Sequence, residues 1–340
     1  MSQLRSRAEP AVRVRLGLVG FGYWGPNYAK SVSAIDGAQL TWIADVSDAA
    51  LARAHELYPG AHLTKDVREL CAASDCDAVI VVAPTSLHEE LARVVMSAKK
   101  PLLVEKPLTD RTASADALAR DAARFDAPVM TGHVYHFNPA VTVIAERIRS
   151  GALGTLRAMT ATRMAFSPIR PDVDALWDLA PHDVAMFLEF AGELPERVYA
   201  EHGAYIRADR ADVAFATLRF PGGAIADLRV SWDYPFRERI VSVVGSRETI
   251  VFDDGAQEKL TLYRAEHDAP DNRDGSVEKL PHPGEQPLIA QIRHFVECVR
   301  TGRRTEVDFE AGARVVRVLA ALDRSAETGL PVTLEPALAT

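Results

Sequence analysis

Three glycines, Gly20, Gly22 and Gly25, stand where an apolar run ends and a helix-like pattern begins. The run covers residues 12–19, so the glycines predict a turn that leads from a buried strand into a helix. Such a turn offers free backbone N–H groups, a bare Cα surface and the positive end of a helix dipole to a pyrophosphate. A tight structural turn without a ligand is the simpler alternative, because glycine is common in turns.

Asp45 favours the dinucleotide interpretation, because it ends the next apolar run, 40–44, twenty positions after Gly25. In dinucleotide-binding folds, a carboxylate at this position binds the ribose hydroxyls of the adenosine part of the cofactor. The same charge repels a 2′-phosphate, and Val46, Ser47 and Asp48 supply no arginine to accept one. The sequence therefore predicts NAD as the cofactor and disfavours NADP.

Length and composition narrow the class of protein. A chain of 340 residues is long enough for about two domains, and its 48% hydrophobic and 25% charged residues are ordinary for globular folds. A net charge of -8 disfavours binding to nucleic acid or to anionic membranes. No apolar run has the length of a membrane helix, and three irregularly spaced cysteines suit neither a disulfide framework nor a zinc site. We expect a cytoplasmic protein without a metal.

Strand and helix signals alternate through residues 13–138, after a flexible tail that we expect at 1–12. The predicted strands are 14–19, 40–44, 78–82, 102–104 and 129–131, with a weaker one at 62–63. The predicted helices are 28–33, 48–58, 67–72, 86–98 and 113–125. This alternation is typical of a Rossmann domain, a doubly wound parallel sheet with helices on both faces.

The rhythm changes in residues 139–340, where we expect a substrate-binding and oligomerisation domain. After a helix at 139–149, the predicted strands are 156–165, 198–206, 213–220, 224–232, 240–244 and 249–252. One helix, 183–190, is inserted early, two helices at 287–300 and 309–326 close the chain, and 266–286 is predicted to be an exposed loop. The expected α+β domain has an open, mostly antiparallel sheet, and its last helices pack back on the first domain.

The free face of such a sheet needs a cover. We expect a second copy of the chain to cover it, which makes the protein a homodimer or a homotetramer. The alternative is that helices of the same chain cover this face.

In a doubly wound sheet, ligands bind at the carboxyl ends of the strands. We therefore expect the cofactor to contact residues that follow the strands of the first domain: Gly20, Phe21, Gly22, Tyr23, Trp24, Gly25, Asp45, Val46, Ala83, Pro84, Thr85, His88, Glu105 and Lys106. For Tyr23 and Trp24, packing under the first helix is an equal alternative.

Lys106 follows the apolar segment 102–104 and is restrained by Pro107. A lysine in a desolvated cleft can hydrogen-bond a substrate oxygen and favour its alkoxide, which is the form that releases hydride. The alternative is a surface lysine in a loop.

Asp178 and His182 are four residues apart, so on a helix they share one face and can act as a proton relay. Because proline is not tolerated deep inside a helix, Pro181 predicts that the helix begins close to Asp178. Asp178 as a helix cap with His182 in the core is an equal alternative. Arg163 and Arg170, shortly before this segment, are candidates for binding a substrate phosphate, or else surface arginines.

The order of these motifs resembles the glucose-fructose oxidoreductase and inositol dehydrogenase family. The motifs are Gly20-x-Gly22-x-x-Gly25, Pro84-Thr85-x-x-His88, Glu105-Lys106-Pro107 and Asp178-x-x-x-His182. The resemblance implies a Rossmann domain joined to an open antiparallel sheet, and oxidation or reduction of a sugar or cyclitol hydroxyl. It makes Lys106 and Asp178 catalytic residues and His182 the general acid or base.

The segments around Trp24, His133 and Trp177 are more similar to the branch of the family that acts on nucleotide sugars. This branch implies an NAD-dependent oxidation at C3 of a sugar such as that of UDP-N-acetylglucosamine. The implied substrate contacts are Lys106, Asn138, Arg163, Arg170, Asp178 and His182. The sequence 174–177 replaces the diglycine of the inositol enzymes, which disfavours a free cyclitol. The alternatives are a keto-sugar reductase, an inositol or free-sugar dehydrogenase, and a non-catalytic NAD-binding sensor.

Overall fold

The computed structural model describes residues 13–170, 172–265 and 275–335, so the predicted tail at 1–12 lies outside the described residues. Six parallel strands form the first sheet: β1 (Val14–Val19), β2 (Ala38–Ala44), β3 (His62–Thr64), β4 (Ala78–Val81), β5 (Leu102–Glu105) and β6 (Val129–Gly132). Their order, β3-β2-β1-β4-β5-β6, reverses direction between β1 and β4. This is the predicted Rossmann topology, and a crevice opens at the point of reversal.

Helices on both faces of this sheet complete the first domain. They are α1 (Gly25–Ser33), α2 (Asp48–Leu57), α3 (Val67–Ala72), α4 (His88–Ser97) and α5 (Thr112–Ala123). Ser47 caps α2 and Asp66 caps α3 by accepting backbone N–H bonds. α1 begins at Gly25, three residues earlier than predicted, with Pro26 in its first turn. The last glycine of the turn is therefore already part of the helix.

Nine described strands form the second sheet: β7 (Leu156–Met164), β8 (Arg197–Gly203), β9 (Val213–Arg219), β10 (Ile225–Ser231), β11 (Glu238–Gly245), β12 (Glu248–Asp253), β13 (Leu260–Ala265), β14 (Gly275–Lys279) and β15 (Val332–Thr333). Their order is β14-β13-β12-β11-β7-β10-β9-β8-β15. Only β7 and β10 pair in parallel among these strands, so the predicted, mostly antiparallel sheet is confirmed.

Two strands of this sheet correct the sequence analysis. β13 was not predicted, although Leu260 and Leu262 have the two-residue spacing of one strand face and are fully buried. β14 lies within the predicted loop 266–286, and every one of its residues is exposed. Its polar composition is that of a loop, and only pairing with β13 makes it a strand.

The remaining helices pack against the second sheet, against the first domain or against both. They are α6 (Pro139–Arg149), α7 (Ala175–Ala191), α8 (Pro287–Thr301) and α9 (Phe309–Thr328). α8 contacts α1 and β1, while α9 contacts α5 and β6 of the first domain and α7 and β8 of the second. The indole of Trp177 packs against the cores of both domains. The carboxyl ends of β5 and β6 are thereby held against α7.

The start of α7 contradicts the prediction that the helix begins close to Asp178. The helix begins at Ala175, because the Asp174 carboxylate caps it by accepting the Trp177 N–H bond at 2.8 Å. Pro181 therefore lies inside the helix, where its missing N–H leaves the Trp177 carbonyl without its helical partner. The alternative role of Asp178 as the cap is also wrong.

None of the helices in the described part of the chain combines the length and apolar character that a membrane span requires. The described residues also contain no cluster of three or more histidine, cysteine or acidic side chains arranged to hold a metal. Cys71, Cys76 and Cys298 are buried free thiols.

Candidate active site

The glycine turn has the geometry of a cradle for a phosphate. Gly20 adopts φ +97°, and a Cβ there would meet the Val82 carbonyl oxygen at 2.2 Å. A Cβ on Gly25 would meet the Gly20 oxygen at 2.3 Å, so both positions need glycine for the turn itself. At Gly22 a Cβ would meet nothing within 4 Å. This bare backbone beside the N-terminus of α1 fits a pyrophosphate.

Asp45 lies against the same turn. One carboxylate oxygen accepts the Phe21 N–H bond at 2.6 Å, and the other accepts the Ser47 N–H bond at 2.9 Å. A ribose of a bound dinucleotide therefore fits beside Asp45.

Arg53 is a residue of this region that the sequence analysis missed. Its guanidinium donates to the carbonyls of Phe21 and Gly22, the latter at 3.1 Å, and lies 5.4 Å from the Phe21 ring centroid. Arg53 comes from the second turn of α2, just beyond the segment 46–48 in which an arginine was sought.

Two aromatic residues of the turn stand at its surface. Tyr23 is 86% exposed and Trp24 is 43% exposed, with their rings stacked 6.5 Å apart. The alternative that Tyr23 and Trp24 pack under the first helix is therefore wrong. Val46, 83% exposed, lies on the surface just beyond Asp45. These side chains remain candidates for contact with the cofactor.

The residues after β4 lie beside the loop that carries Lys106. Ala83 and Pro84 are accessible and Thr85 is buried. The ring nitrogens of buried His88 lie 2.9 Å from the carbonyl oxygens of Pro107 and Ala83. His88 therefore links the loop after β4 to the loop that carries Lys106.

Glu105 has a similar supporting role. Its buried carboxylate accepts bonds from the Tyr28 hydroxyl, at 3.1 Å, and from the backbone N–H of Lys106. Gln291 donates to the same hydroxyl at 3.0 Å. Burial raises the pKa of the Glu105 carboxyl. The structure thus places Glu105 as a support for Lys106, below the surface of the cleft.

Lys106 joins the two domains at the cleft. Its ammonium donates to the backbone carbonyl of Asp178 at 2.7 Å and lies 3.4 Å from the Asp178 carboxylate. The side chain is only 12% exposed, so the alternative of a surface lysine is wrong. The sequence placed this residue correctly at the end of a sheet strand, and α7 supplies its partner.

The Asp178 carboxylate has three hydrogen-bond donors around it. Besides Lys106, its carboxylate accepts bonds from Arg170 at 3.0 Å and from the Trp232 indole at 3.1 Å. Burial opposes ionisation, but the charges of Lys106 and Arg170 outweigh it and lower the pKa of Asp178. The carboxylate is therefore charged at neutral pH. Trp232, at the end of β10, is a second residue that sequence reasoning missed.

His182 lies one helical turn after Asp178 and is partly buried. Its Nδ1 is enclosed and has no hydrogen-bond partner among the described residues, and its ring lies 5.1 Å from that of Tyr135. Burial, followed by the positive charges of Lys106 and Arg163, lowers the pKa of His182 well below its usual value. The imidazole is therefore neutral at physiological pH and can accept a proton.

Arg163 contradicts its predicted role as a phosphate ligand. It is buried and forms a two-bond ion pair with Asp183, at 2.8 and 2.7 Å. A third bond goes to the Tyr135 hydroxyl at 3.0 Å. Arg163 therefore attaches β7 to α7. The prediction was wrong because its partner carboxylate on the helix could not be recognised from the sequence.

Two other predicted substrate contacts have partners within the chain. Arg170 is one-third exposed and pairs with Asp172 and Asp178. The Asn138 side chain accepts the Ala140 N–H bond at 3.0 Å and caps α6. Arg170 lies at the cleft, whereas Asn138 is buried and has a structural task.

Comparisons with known proteins match both domains. The profile of an oxidoreductase family with an NAD-binding Rossmann fold matches residues 14–133, and that of the GFO/IDH/MocA C-terminal domain matches residues 141–251. UDP-N-acetylglucosamine 3-dehydrogenase of Acidithiobacillus ferrooxidans is 30% identical over 90% of this chain and 95% of its own. Myo-inositol 2-dehydrogenase of Thermotoga maritima is 27% identical over 95% and 99%.

A solved structure supports the architecture. Levoglucosan dehydrogenase in complex with NADH has a TM-score of 0.86 at 21% identity, covering 96% of this chain and 100% of that one. At this identity the likeness concerns the fold alone. Together with the two profiles and the 30% identical relative, it confirms the resemblance seen in the sequence and the NAD cofactor. The chain belongs to the GFO/IDH/MocA family of NAD-binding oxidoreductases, enzymes with dehydrogenase members that act on sugar hydroxyls.

Proposed function

We propose that the chain is an NAD-dependent dehydrogenase that oxidises a secondary ring hydroxyl of a sugar, at C3 of a nucleotide sugar such as UDP-N-acetylglucosamine. One observation carries the proposal: the Lys106 ammonium is fixed 2.7 Å from the backbone carbonyl of Asp178, and a neutral His182 lies one helical turn away. A cation and a neutral base at one cleft are the groups that alcohol oxidation requires.

Each residue has a separate task in this proposal. NAD held at the glycine turn and beside Asp45 would supply the hydride acceptor. His182 takes the hydroxyl proton, and the Lys106 ammonium stabilises the negative charge that develops on the oxygen. Asp178 holds Lys106 in place and keeps a negative charge beside it, while Trp232 and Arg170 orient the Asp178 carboxylate.

The choice of a nucleotide sugar is supported by the relative from Acidithiobacillus ferrooxidans and by the cations of the cleft. Since Arg163 is enclosed, Arg170 is the predicted arginine left for a phosphate. Arg239, at the start of β11, is 38% exposed and its charge acts on His182. A guanidinium at this place can pair with a diphosphate.

We further propose that the enzyme is a homodimer or homotetramer. The helices that contact the second sheet, α6, α7 and α9, share a core with its inward residues. The outward face carries the exposed side chain of Thr160 and the partly exposed side chains of Ser242 and Val244. A sheet that is open on one face is a common oligomer interface.

A panel of sugars tests the proposed activity. The protein is mixed with NAD and with UDP-sugars, dTDP-sugars, free sugars or myo-inositol, and NADH formation is followed by absorbance. We expect turnover with a nucleotide sugar, and a loss of about 10²- to 10⁴-fold in kcat for His182→Ala. His55→Ala, on the exposed surface of α2, is the matched control. If NADH formed with free sugars alone, the proposed nucleotide-sugar substrate would be wrong. If His182→Ala kept full turnover, the proposed role of His182 as the base would be wrong.

A further inference from the structure

A buried chain of hydrogen bonds connects α8 and α1 to the residue that carries the ammonium of the site. Gln291 of α8 donates to the Tyr28 hydroxyl at 3.0 Å, and this hydroxyl donates to the Glu105 carboxylate at 3.1 Å. The other oxygen of the carboxylate accepts the backbone N–H bond of Lys106. Gln291 and Tyr28 are fully buried, and Glu105 is 8% exposed. The mechanism described above gives no task to Tyr28 or Gln291.

The chain of hydrogen bonds has one direction. Because the Gln291 amide donates to the Tyr28 oxygen, the single hydroxyl proton of Tyr28 is left for Glu105. Burial and the charge of Glu105 raise the pKa of Tyr28 well above its usual value, so this proton stays on the hydroxyl. An ionised carboxylate accepts at both oxygens and suits the two donors that face it. A protonated carboxyl would present a donor of its own to one of them.

The ends of two strands make room for the Tyr28 hydroxyl. Gly132, at the end of β6, pairs with Glu105 at the end of β5. A Cβ on Gly132 would meet the Tyr28 hydroxyl oxygen at 3.2 Å and the Glu105 Cα at 3.1 Å, both tighter than ordinary van der Waals contact. The lack of a side chain at Gly132 therefore lets the hydroxyl lie directly against the carboxyl ends of both strands.

Lys106 depends on its backbone for the position of its ammonium. The ammonium reaches the Asp178 carbonyl at 2.7 Å from a loop that is held on both sides of the lysine. Glu105 holds the backbone N–H of Lys106, and a ring nitrogen of His88 lies 2.9 Å from the carbonyl oxygen of Pro107. Such restraint matters at a reacting oxygen, because a displacement of about 1 Å can reduce the rate about 10²-fold.

We propose that Tyr28 is a positioning residue of the reaction, which fixes the Glu105 carboxylate and thereby the backbone and the ammonium of Lys106. Gln291 supports it by directing the hydroxyl proton toward Glu105. This task rests on the proposed function, in which the Lys106 ammonium stabilises the negative charge on the substrate oxygen. Tyr28 acts on that oxygen only through Glu105 and Lys106.

Tyr28→Phe tests this role, because it removes the hydroxyl and keeps the buried ring. One Glu105 oxygen then loses its donor, so we expect kcat for NADH formation to fall about tenfold with little change in the KM of the sugar. NADH fluorescence titration separates positioning from a structural role, since Tyr28 belongs to the helix that begins at the phosphate cradle. We expect the variant to bind NADH as tightly as the wild type, which also shows that it is folded.

The pH profile of kcat is the second measurement. Burial raises the pKa of the Glu105 carboxyl, and Lys106, Tyr28 and Arg170 are the charged or titratable groups that lower it. Loss of the Tyr28 bond therefore raises the pKa of Glu105 further. Since the protonated carboxyl cannot accept from both of its donors, we expect the acid side of the profile of Tyr28→Phe to move to higher pH.

A double-mutant cycle shows whether Tyr28 acts through Glu105. In Glu105→Gln, the amide presents a donor of its own to one of the two donors, so we expect kcat to fall about tenfold at every pH. Because the chain is already broken, Tyr28→Phe/Glu105→Gln should lose no more than about twofold beyond Glu105→Gln alone. Tyr199→Phe, which removes a hydroxyl bond to the exposed Glu201, is the matched control and should keep wild-type kinetics.

The possible failures are distinguishable. Absence of NADH with every sugar in the wild type would overturn the proposed function and, with it, the task of Tyr28. When the wild type is active, an unchanged kcat and pH profile in Tyr28→Phe would overturn the positioning role alone. Weaker NADH binding by this variant would assign Tyr28 a structural role in α1, and losses that multiply in the double variant would show that it acts independently of Glu105. Either of these two results also overturns the proposal.

Discussion

At the scale of single residues, the charge of Asp45 and its neighbour Arg53 set the choice of cofactor. The carboxylate is held at the glycine turn by the Phe21 N–H, and the guanidinium of Arg53 lies on the carbonyls of the same turn. A 2′-phosphate placed beside Asp45 would be repelled by the carboxylate but attracted by the arginine. The preference for NAD therefore depends on which of two adjacent charges dominates.

Asp45→Asn tests this balance, because the amide oxygen can still accept the Phe21 N–H bond while the charge is lost. We expect the variant to bind NADPH about tenfold more tightly, which corresponds to about 1.4 kcal/mol. Fluorescence titration with NADH and NADPH measures both affinities without a substrate. In Asp45→Asn/Arg53→Ala the gain should disappear, and an equal gain in this double variant would show that Arg53 has no part in it.

A residue could be predicted from the sequence when its place in the site follows from its position at the end of a strand or the start of a helix. Lys106 was found because it follows a strand of a parallel sheet, and that position fixes its edge. Arg163 was misplaced, because its burial depends on Asp183, a partner twenty residues later on another element. Arg53 and Trp232 were missed for the same reason, since each reaches the site from an element that only the folded chain brings near.

At the scale of elements, α7 determines the geometry of the site. It carries Asp178 and His182 toward the cleft, and Asp183 binds it to β7 through Arg163. The alternation of strands and helices predicted most elements, but the start of α7 was wrong because a cap at Asp174 outweighs the penalty of Pro181. The competition between the cap and the proline is decided by packing, because ten of the seventeen residues of α7 are buried.

The clamp between β7 and α7 predicts a large loss of stability when one partner is removed. Arg163→Met leaves the Asp183 carboxylate buried without a counter-charge, for which we expect a loss of about 3–5 kcal/mol in the free energy of unfolding. In Arg163→Met/Asp183→Leu, no uncompensated charge remains, so most of the loss should be recovered. Urea denaturation measures both values.

Arg157→Met provides the control for this prediction, because Arg157 is an exposed residue of the same strand. We expect this variant to change the stability by less than about 0.5 kcal/mol. An equally small effect of Arg163→Met would show that the ion pair contributes little to the attachment of α7.

At the scale of the whole molecule, the second sheet has two faces with different tasks. The inward face packs against α6, α7 and α9 and forms a core with them. On the outward face, Thr160 pairs across the strands with Ser242 of β11, and Ala158 with Val244. Along β7 and β11 this face thus has small, uncharged side chains, and the adjacent strand β10 adds the ion pair of Asp227 and Arg229. Small side chains beside a paired charge suit close contact between two sheets.

The association of two copies through this face is the prediction that belongs to this scale. Thr160→Glu/Ser242→Glu adds two negative charges per copy at the centre of the face, and desolvating like charges across an interface is unfavourable by several kcal/mol. We expect the wild type to sediment as a dimer or tetramer and the double variant to shift toward smaller species, while its circular dichroism remains unchanged. Ala52→Glu, which adds charge on the exposed surface of α2, should leave the assembly intact. A wild-type monomer, or a double variant that associates as strongly as the wild type, would place the subunit contact elsewhere or remove it.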